Sequence, residues 1–169
     1  LCRFLGDLVA DETTLYYYNG NWQVLAESDA NGTTQRWFVY GNYIDEVVMM
    51  RRPEGQYSYD YFYVHDHLYS PAALIDAIGV VKERYEYDAY GQPTIWNADF
   101  TSQRDESSYN NPYFFTGRRL DFLDNGKLKL QYNRHRYYDY YAGRWLTQDP
   151  LGYVDGLNLY EYAKSKPVL

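Results

Sequence analysis

Along much of this chain, aromatic and polar residues alternate with a period of two. In Tyr57-Ser58-Tyr59-Asp60-Tyr61-Phe62-Tyr63 and in Tyr85-Glu86-Tyr87 the tyrosines fall on one face of an extended strand, because side chains alternate across a strand. Helical spacing would scatter them. Aromatic and β-branched residues suit a pleated, half-buried surface, where rings on neighbouring strands lie opposite or diagonal to one another. With 23 tyrosines in 169 residues, the pattern predicts a tyrosine-lined sheet.

Breaks in the alternation carry residues that tolerate positive φ, so the chain reads as a run of hairpins. Thr14 to Tyr18 leads into Asn19-Gly20-Asn21, Trp22 to Glu27 into Asp29-Ala30-Asn31-Gly32, and Thr33 to Tyr40 follows. Ile44 to Arg52 and Gln56 to Val64 flank Pro53-Glu54-Gly55. Ala73 to Ile75 and Val80 to Tyr87 flank Asp76-Ala77-Ile78-Gly79, and Asp88-Ala89-Tyr90-Gly91 opens the next turn twelve residues on, about one hairpin's length of chain.

Between Trp96 and Asn111 the residues are polar and without period, which predicts an exposed loop over 97–111. Pairing resumes at Tyr113 to Thr116 and at Leu128 to Asn133, after a turn at Asp124-Asn125-Gly126. Leu157 to Lys164 is the one short stretch with helical character. The fold class expected is all-β: consecutive antiparallel β-hairpins in a curved, repetitive sheet over residues 1–133, then an irregular segment over 134–169 with at most a short helix. Such a sheet has edges that invite pairing, so it must curl on itself, continue into further repeats or pack against copies of itself.

Composition narrows the function. A formal net charge of -7, with no run of Lys or Arg longer than two, argues against a phosphate-neutralising surface for nucleic acid. Cys2 is the single cysteine, which excludes an internal disulfide, and the Cys and His count cannot build a four-ligand structural zinc site. No membrane-spanning run or signal peptide is present, and a chain that opens at Leu1 rather than Met reads as a processed or excised piece of something longer.

Several segments carry a family resemblance. Tyr85-Glu86-Tyr87-Asp88-Ala89-Tyr90-Gly91-Gln92-Pro93 resembles the Tyr-Asp repeat of RHS or YD-repeat proteins. The downstream stretch is similar to their RHS repeat-associated core at His67-Leu68-Tyr69-Ser70-Pro71-Ala72-Ala73-Leu74, at Asn111-Pro112-Tyr113-Phe114-Phe115-Thr116-Gly117-Arg118-Arg119, and from Asn133-Arg134-His135-Arg136-Tyr137-Tyr138-Asp139 through Gly143-Arg144-Trp145-Leu146. Asp149-Pro150-Leu151-Gly152 and Gly156-Leu157-Asn158-Leu159-Tyr160-Glu161-Tyr162 complete it. The likeness covers Tyr57 to Leu169 well and Thr14 to Met50 more loosely, and Tyr69 stands where the family usually has Gly.

The resemblance implies hairpins spiralling into a hollow shell, in secreted or cell-surface proteins whose bacterial members enclose a C-terminal toxin or effector. It also implies that the core segment closes one end of the shell and, in many members, cuts the chain as an intramolecular aspartic protease. By that pattern the catalytic candidates are Asp149, which supplies the first carboxylate, and Arg136, which assists. The second carboxylate belongs to a further Asp-Pro-x-Gly motif after an Asn-Pro-Val segment. Lys166-Pro167-Val168-Leu169 aligns with that segment, so the second Asp is expected just past Leu169.

Aspartic proteolysis needs two carboxylates that share a proton, so this chain is expected to have no turnover of its own. The plainer roles are a hydrogen-bond acceptor in a tight Asp-Pro turn for Asp149, and for Arg136 a guanidinium stacked on Tyr137 or Tyr138, or an ion pair with a nearby carboxylate. His65 and His67 would share a strand face and could ligate a metal, but with only His135 besides, a structural reading is favoured. Tyrosine and tryptophan stripes could bind carbohydrate, yet rings that recur in every hairpin favour cross-strand packing. No phosphate loop, Ser/His/Asp arrangement or paired Cys motif appears, and no cofactor or metal is expected.

The chain is thus expected to be a structural RHS/YD-repeat core module of a secreted or surface assembly. Its expected partners are the rest of a parent polypeptide or identical copies, with a toxin or effector passenger and no nucleic acid. Three alternatives stand beside it: a self-assembling fibre or tube subunit joined at sheet edges, half of an autoprotease that releases a C-terminal toxin, and a carbohydrate-binding aromatic surface.

Overall fold

The structure is a computed structural model that describes residues 2–4, 10–124, 126–154 and 156–167. Leu1, Asn125 of the expected 124–126 turn, and Val168 and Leu169 of the C-terminal segment lie outside the described residues. The fold is all-β: consecutive antiparallel hairpins make curved sheets, and the only helical turns among the described residues are 3₁₀ turns at Phe115–Gly117 and Ala163–Ser165. The chain divides into two compact units, Leu1–Lys82 and Glu83–Leu169.

In the first unit, β1 (Cys2–Phe4) and β2 (Ala10–Thr13) form a two-stranded pair. Six further strands then pair antiparallel in chain order: β3 (Leu15–Tyr18), β4 (Val24–Ser28), β5 (Thr34–Tyr40), β6 (Val47–Glu54), β7 (Tyr57–His65) and β8 (Pro71–Asp76). Register shifts at Tyr17/Tyr18, Glu27/Ser28, Val39/Tyr40 and Val64/His65 bend the strands, as bulges do. The tyrosine stripe of β7 keeps to one face, but its burial is graded. Tyr57 is 70% and Tyr59 46% exposed, whereas Tyr61 and Tyr63 are buried with Val47, Met50 and Leu74.

Four hairpin turns share one device. Asp29, Asp66, Asp76 and Asp88 each accept backbone N–H groups two and four residues on through Oδ1, at 2.8–3.1 Å. Asn19 does the same for Asn21 and Gln23. Each of the five also donates its own N–H to the carbonyl four residues ahead. This closes a four-residue loop whose last position is left-handed: Gly32, Gly79 and Gly91 occupy it as expected, but so do Trp22 (φ 61°) and Tyr69 (φ 62°). The turn at Tyr69 therefore has the same geometry as the glycine turns. A left-handed backbone costs an L-residue roughly 1–2 kcal/mol. Tyr69 offsets it by stacking on Tyr43 at 4.6 Å, and Trp22 meets Tyr18 edge-on at 6.4 Å.

The second unit begins within β9 (Val81–Tyr87), which pairs with β10 (Pro93–Asn97), and β10 pairs in turn with β11 (Gln103–Arg104). β11 lies in the polar stretch 97–111. Farther along that stretch Ser107 and the Ser108 N–H bind the fully buried Glu83 carboxylate, which also accepts from the Tyr85 hydroxyl at 2.7 Å. Glu83 and Tyr85 are two apart on one strand face, so the alternation that buries the ring also buries the charge. A buried carboxylate is tolerable only when hydrogen-bonded in this way.

The other sheet of this unit runs β12 (Arg119–Leu123), β13 (Leu128–Asn133), β14 (Arg136–Asp139) and β15 (Arg144–Trp145), all antiparallel. Two expectations change here. Tyr113 to Thr116 contributes a single bridge to Arg119 and then a 3₁₀ turn, in which Thr116 is left-handed (φ 55°) and the adjacent Phe114 and Phe115 are both buried. Leu157 to Lys164 is not helical. Asn158 caps a turn through Tyr160 N–H, and the 3₁₀ turn that follows is left-handed at Ala163, Lys164 and Ser165.

Two outcomes test this account. Gly79→Ala meets no atom within 4 Å, so its effect is the left-handed penalty of about 1 kcal/mol, whereas at Gly91, also left-handed, the added carbon collides with the Phe115 ring. Urea unfolding should show Gly91→Ala the more destabilising, by about 1–3 kcal/mol of added overpacking. The second concerns Arg51 and Asp60, directly opposed on β6 and β7 and bonded twice at 2.6 and 2.7 Å. The hydrogen bond from Arg51 holds the Asp60 carboxyl below the usual carboxylate range. A depressed native value stabilises above the unfolded pKa of about 3.9 and is lost as pH falls through the native one. Asp60→Asn should flatten the stability–pH curve below about pH 4.

Candidate functional site

β13, β14 and β15 form a short meander that brings the two residues singled out by motif into contact. Asn133 pairs with Arg136 across a tight turn whose Arg134 is left-handed (φ 60°), and Tyr138 pairs with Trp145. The turn from β14 to β15 is held by Asp139 Oδ1, which accepts from Tyr141 and Ala142 N–H. Arg136 and Tyr138 are two apart on β14, so Trp145 opposite Tyr138 is diagonal to Arg136. The guanidinium lies over the Trp145 ring, 4.1 Å from its centre.

Its Nη1 also reaches Asp149 Oδ2 at 2.8 Å, both side chains being 19% exposed. Asp149 Oδ1 accepts the Leu151 N–H at 2.9 Å, and its main chain bonds Leu159 and Gly152 at 3.0 Å. One carboxylate oxygen thus holds the Asp-Pro turn and the other holds the arginine. The geometry supplies a carboxylate of fixed orientation against a cation that is itself sandwiched on an indole.

Behind this pair lies an aromatic cluster. The Tyr138 ring is fully buried, stacks on Tyr162 at 4.0 Å, meets Trp145 at 5.6 Å, and donates its hydroxyl to the Tyr90 carbonyl at 2.8 Å. Burial pushes the Tyr138, Tyr140 and Tyr162 phenols up, so all three stay neutral hydrogen-bonding groups. With Tyr162 also 5.3 Å edge-on to Trp145, the indole under Arg136 is fixed from two sides.

The chain is similar to bacterial toxin subunits. Over 108 residues it is 35% identical to the toxin subunit YenC1 of Yersinia entomophaga, covering 63% of the chain and 10% of that protein. Over 118 residues it is 33% identical to YenC2 of the same organism, covering 69% and 11%. In fold it matches a crystal structure of TcdB2-TccC3-TEV with a TM-score of 0.59 at 20% identity, over 97% of this chain and 9% of that one. The chain spans about a tenth of the length of these curated relatives. No protein-family model matches it. At a coarse level the toxin-subunit relatives support the RHS-type resemblance carried by the motifs.

The two histidines part company in the structure. His65 ends β7 at a register shift, stacked on Tyr63 at 6.0 Å with burial lowering its pKa, while His67 sits in the exposed Asp66–Tyr69 turn. Among the described residues no three His, Cys, Asp or Glu side chains gather as a metal site, and no helix is long and apolar enough to cross a membrane. Sequence reasoning missed Trp145 as the arginine's platform and Glu83 as a buried anchor. The signals were present: a pairing of Tyr138 with Trp145 follows from a tight turn at Gly143, and Glu83 shares the period-two face of Tyr85.

If Asp149 both caps the turn and pairs with Arg136, its substitutions should rank. Asp149→Asn keeps the acceptor but loses the charge, at about 1 kcal/mol, and Asp149→Ala loses both, at about 2–3 kcal/mol. Thermal unfolding of the two variants and of Arg136→Lys, which loses the planar stack, measures the order.

Proposed function

We propose that the chain is a wall and end-closure module of an RHS-type shell in a secreted or surface toxin assembly, structural and without turnover of its own. The observation that carries this reading is the serial hairpin built on one repeated turn, in which Asp66, Asp76 and Asp88 cap successive hairpins identically. A unit repeated in this way extends a sheet indefinitely and suits a wall, because closing or continuing it is what removes free edges. Toxin-subunit relatives about ten times longer than the stretch they share with this chain agree with a module inside a larger polypeptide. On this reading its partners are the remainder of that polypeptide and an enclosed toxin or effector passenger.

The contact between Arg136 and Asp149 favours a second reading, in which the C-terminal part is half of an intramolecular aspartic autoprotease. Asp149 then acts as one carboxylate, Arg136 orients it, and a second carboxyl that shares the proton comes from elsewhere in the assembly.

Both readings meet in one experiment on the polypeptide as its gene encodes it. Electron microscopy should show the hairpins of residues 15–76 as part of a continuous curved wall, and hairpins lying apart from any wall overturn the structural reading. Mass spectrometry of the same material tests the second: a chain cut that Asp149→Asn abolishes supports it, and a cut that persists in Asp149→Asn, or no cut at all, rejects it.

A further inference from the structure

Two turns of the first unit bring a pair of exposed tyrosines face to face. Tyr43 lies in the connection from β5 to β6, and Tyr69 in the turn from β7 to β8. Their rings stack with centres 4.6 Å apart and planes 24° from parallel, and the residues are 44% and 36% exposed. Two phenols in contact with each other and with solvent are open to chemistry that a buried pair is not.

Both rings stand on fastened backbone. The Tyr43 N–H donates to Glu46 Oε2 at 3.2 Å, the Tyr43 carbonyl accepts the Glu46 N–H at 3.1 Å, and the Gly41 N–H donates to the Glu46 carbonyl at 2.8 Å. On the other side Asp66 Oδ1 accepts from Leu68 and Ser70 N–H, and the Asp66 carbonyl accepts the Tyr69 N–H at 3.2 Å. Glycine would fill the left-handed position of Tyr69 at lower cost. What the tyrosine adds there is a phenol against Tyr43.

A closer pair is not equivalent. Tyr138 and Tyr162 stack at 4.0 Å, but Tyr138 is fully buried and Trp145 abuts the two rings at 5.6 and 5.3 Å. That packing keeps an oxidant away and leaves the rings no room to shift.

We propose that Tyr43 and Tyr69 form an oxidative cross-linking site, at which a one-electron oxidant of the peroxidase class, working with hydrogen peroxide, joins them as dityrosine. Each phenol gives up one electron and its hydroxyl proton and becomes a phenoxyl radical with spin on the ring carbons ortho to oxygen. Coupling forms one carbon–carbon bond between an ortho position of each ring. The hydrogens on those two carbons then leave as protons, and the two oxygens are protonated again. The pair loses two electrons and two protons in all, which reduce one hydrogen peroxide to two waters. To couple, the rings must slide and swing about their side-chain bonds until the ortho edges meet, a movement that exposed rings are free to make. The bond closes a covalent loop from Tyr43 to Tyr69 that contains β6 and β7. In a chain whose single cysteine excludes an internal disulfide, it supplies the loop closure by which a cross-link constrains the unfolded state. The inference is independent of the wall and autoprotease readings.

The full chain, treated at low concentration with a haem peroxidase and hydrogen peroxide, tests it. After tryptic digestion of the monomer fraction, mass spectrometry should find the peptides Trp37–Arg51 and Arg52–Lys82 joined and short of two hydrogens, with fragment ions placing the bond at Tyr43 and Tyr69. Tyr43→Phe and Tyr69→Phe keep the ring but cannot form a phenoxyl radical, so each should abolish the joined peptide. Tyr57→Phe, at a residue that is 70% exposed, should leave it in place. Far-UV circular dichroism verifies that the variants keep the fold of the parent chain. The linked chain should melt several degrees above the untreated one, and peroxidase-treated Tyr43→Phe should show no such rise. No link within the monomer, a link confined to other tyrosines, a link that survives in both phenylalanine variants, or an unchanged melting temperature would each overturn the proposal.

Discussion

A hydrogen-bonded carboxylate at the start of four of the hairpin turns is the constraint on which the sheet's register depends. By accepting from the amides two and four residues ahead, an aspartate fixes the number of residues in the loop, and with it the register of the strands that follow. Register matters more here than in a sheet with ordinary alternation. A slip of one residue would turn Tyr61 and Tyr63 out to solvent and bring Phe62 and Val64 inward. It would also separate Arg51 from Asp60.

The same constraint explains why aromatic residues can stand where glycine is easiest. A turn fastened by three hydrogen bonds holds its fourth residue left-handed regardless of identity, and ring stacking then offsets the local strain. Tyr69 on Tyr43 and Trp22 against Tyr18 follow this logic in the first unit. Phe100, left-handed at 61°, does so in the second, where it packs edge-on against Trp96 and beneath Arg84. Aromatic turns thus add contacts at the sheet's rim where glycine would leave none.

Buried charge follows a parallel rule. Glu27 and Glu83 are fully buried, and each is matched: Glu27 by Arg36, directly opposite on the neighbouring strand, and Glu83 by Tyr85, Ser107 and Ser108. Asp149 is less buried and divides its two oxygens between a turn and a guanidinium. The Glu83 carboxylate, bonded by Ser107, Ser108 and Arg104, holds the polar stretch after Trp96 against its sheet.

The alternation of tyrosines and the spacing of Asp-x-x-Gly were enough to read the class of fold and most strands, since both express strictly local rules: side chains alternate, and positive φ selects glycine. Leu128–Asn133 emerges with the boundaries expected of it, and β3 to β9 lie within a few residues of theirs. Local rules could not reveal that Tyr57 and Tyr61 on one face differ in burial, nor that Leu157 to Lys164 turns instead of coiling. The first depends on which strands lie beside β7. The second depends on backbone bonds from Trp145 and Asp149 to Tyr160 and Leu159, made by residues distant in sequence. Motif resemblance singled out Arg136 and Asp149 as separate positions, and only the folded meander set them 2.8 Å apart over Trp145. Period and turn chemistry are properties of neighbouring residues and are written in the chain; contact between residues thirteen apart requires strands to have already found their register.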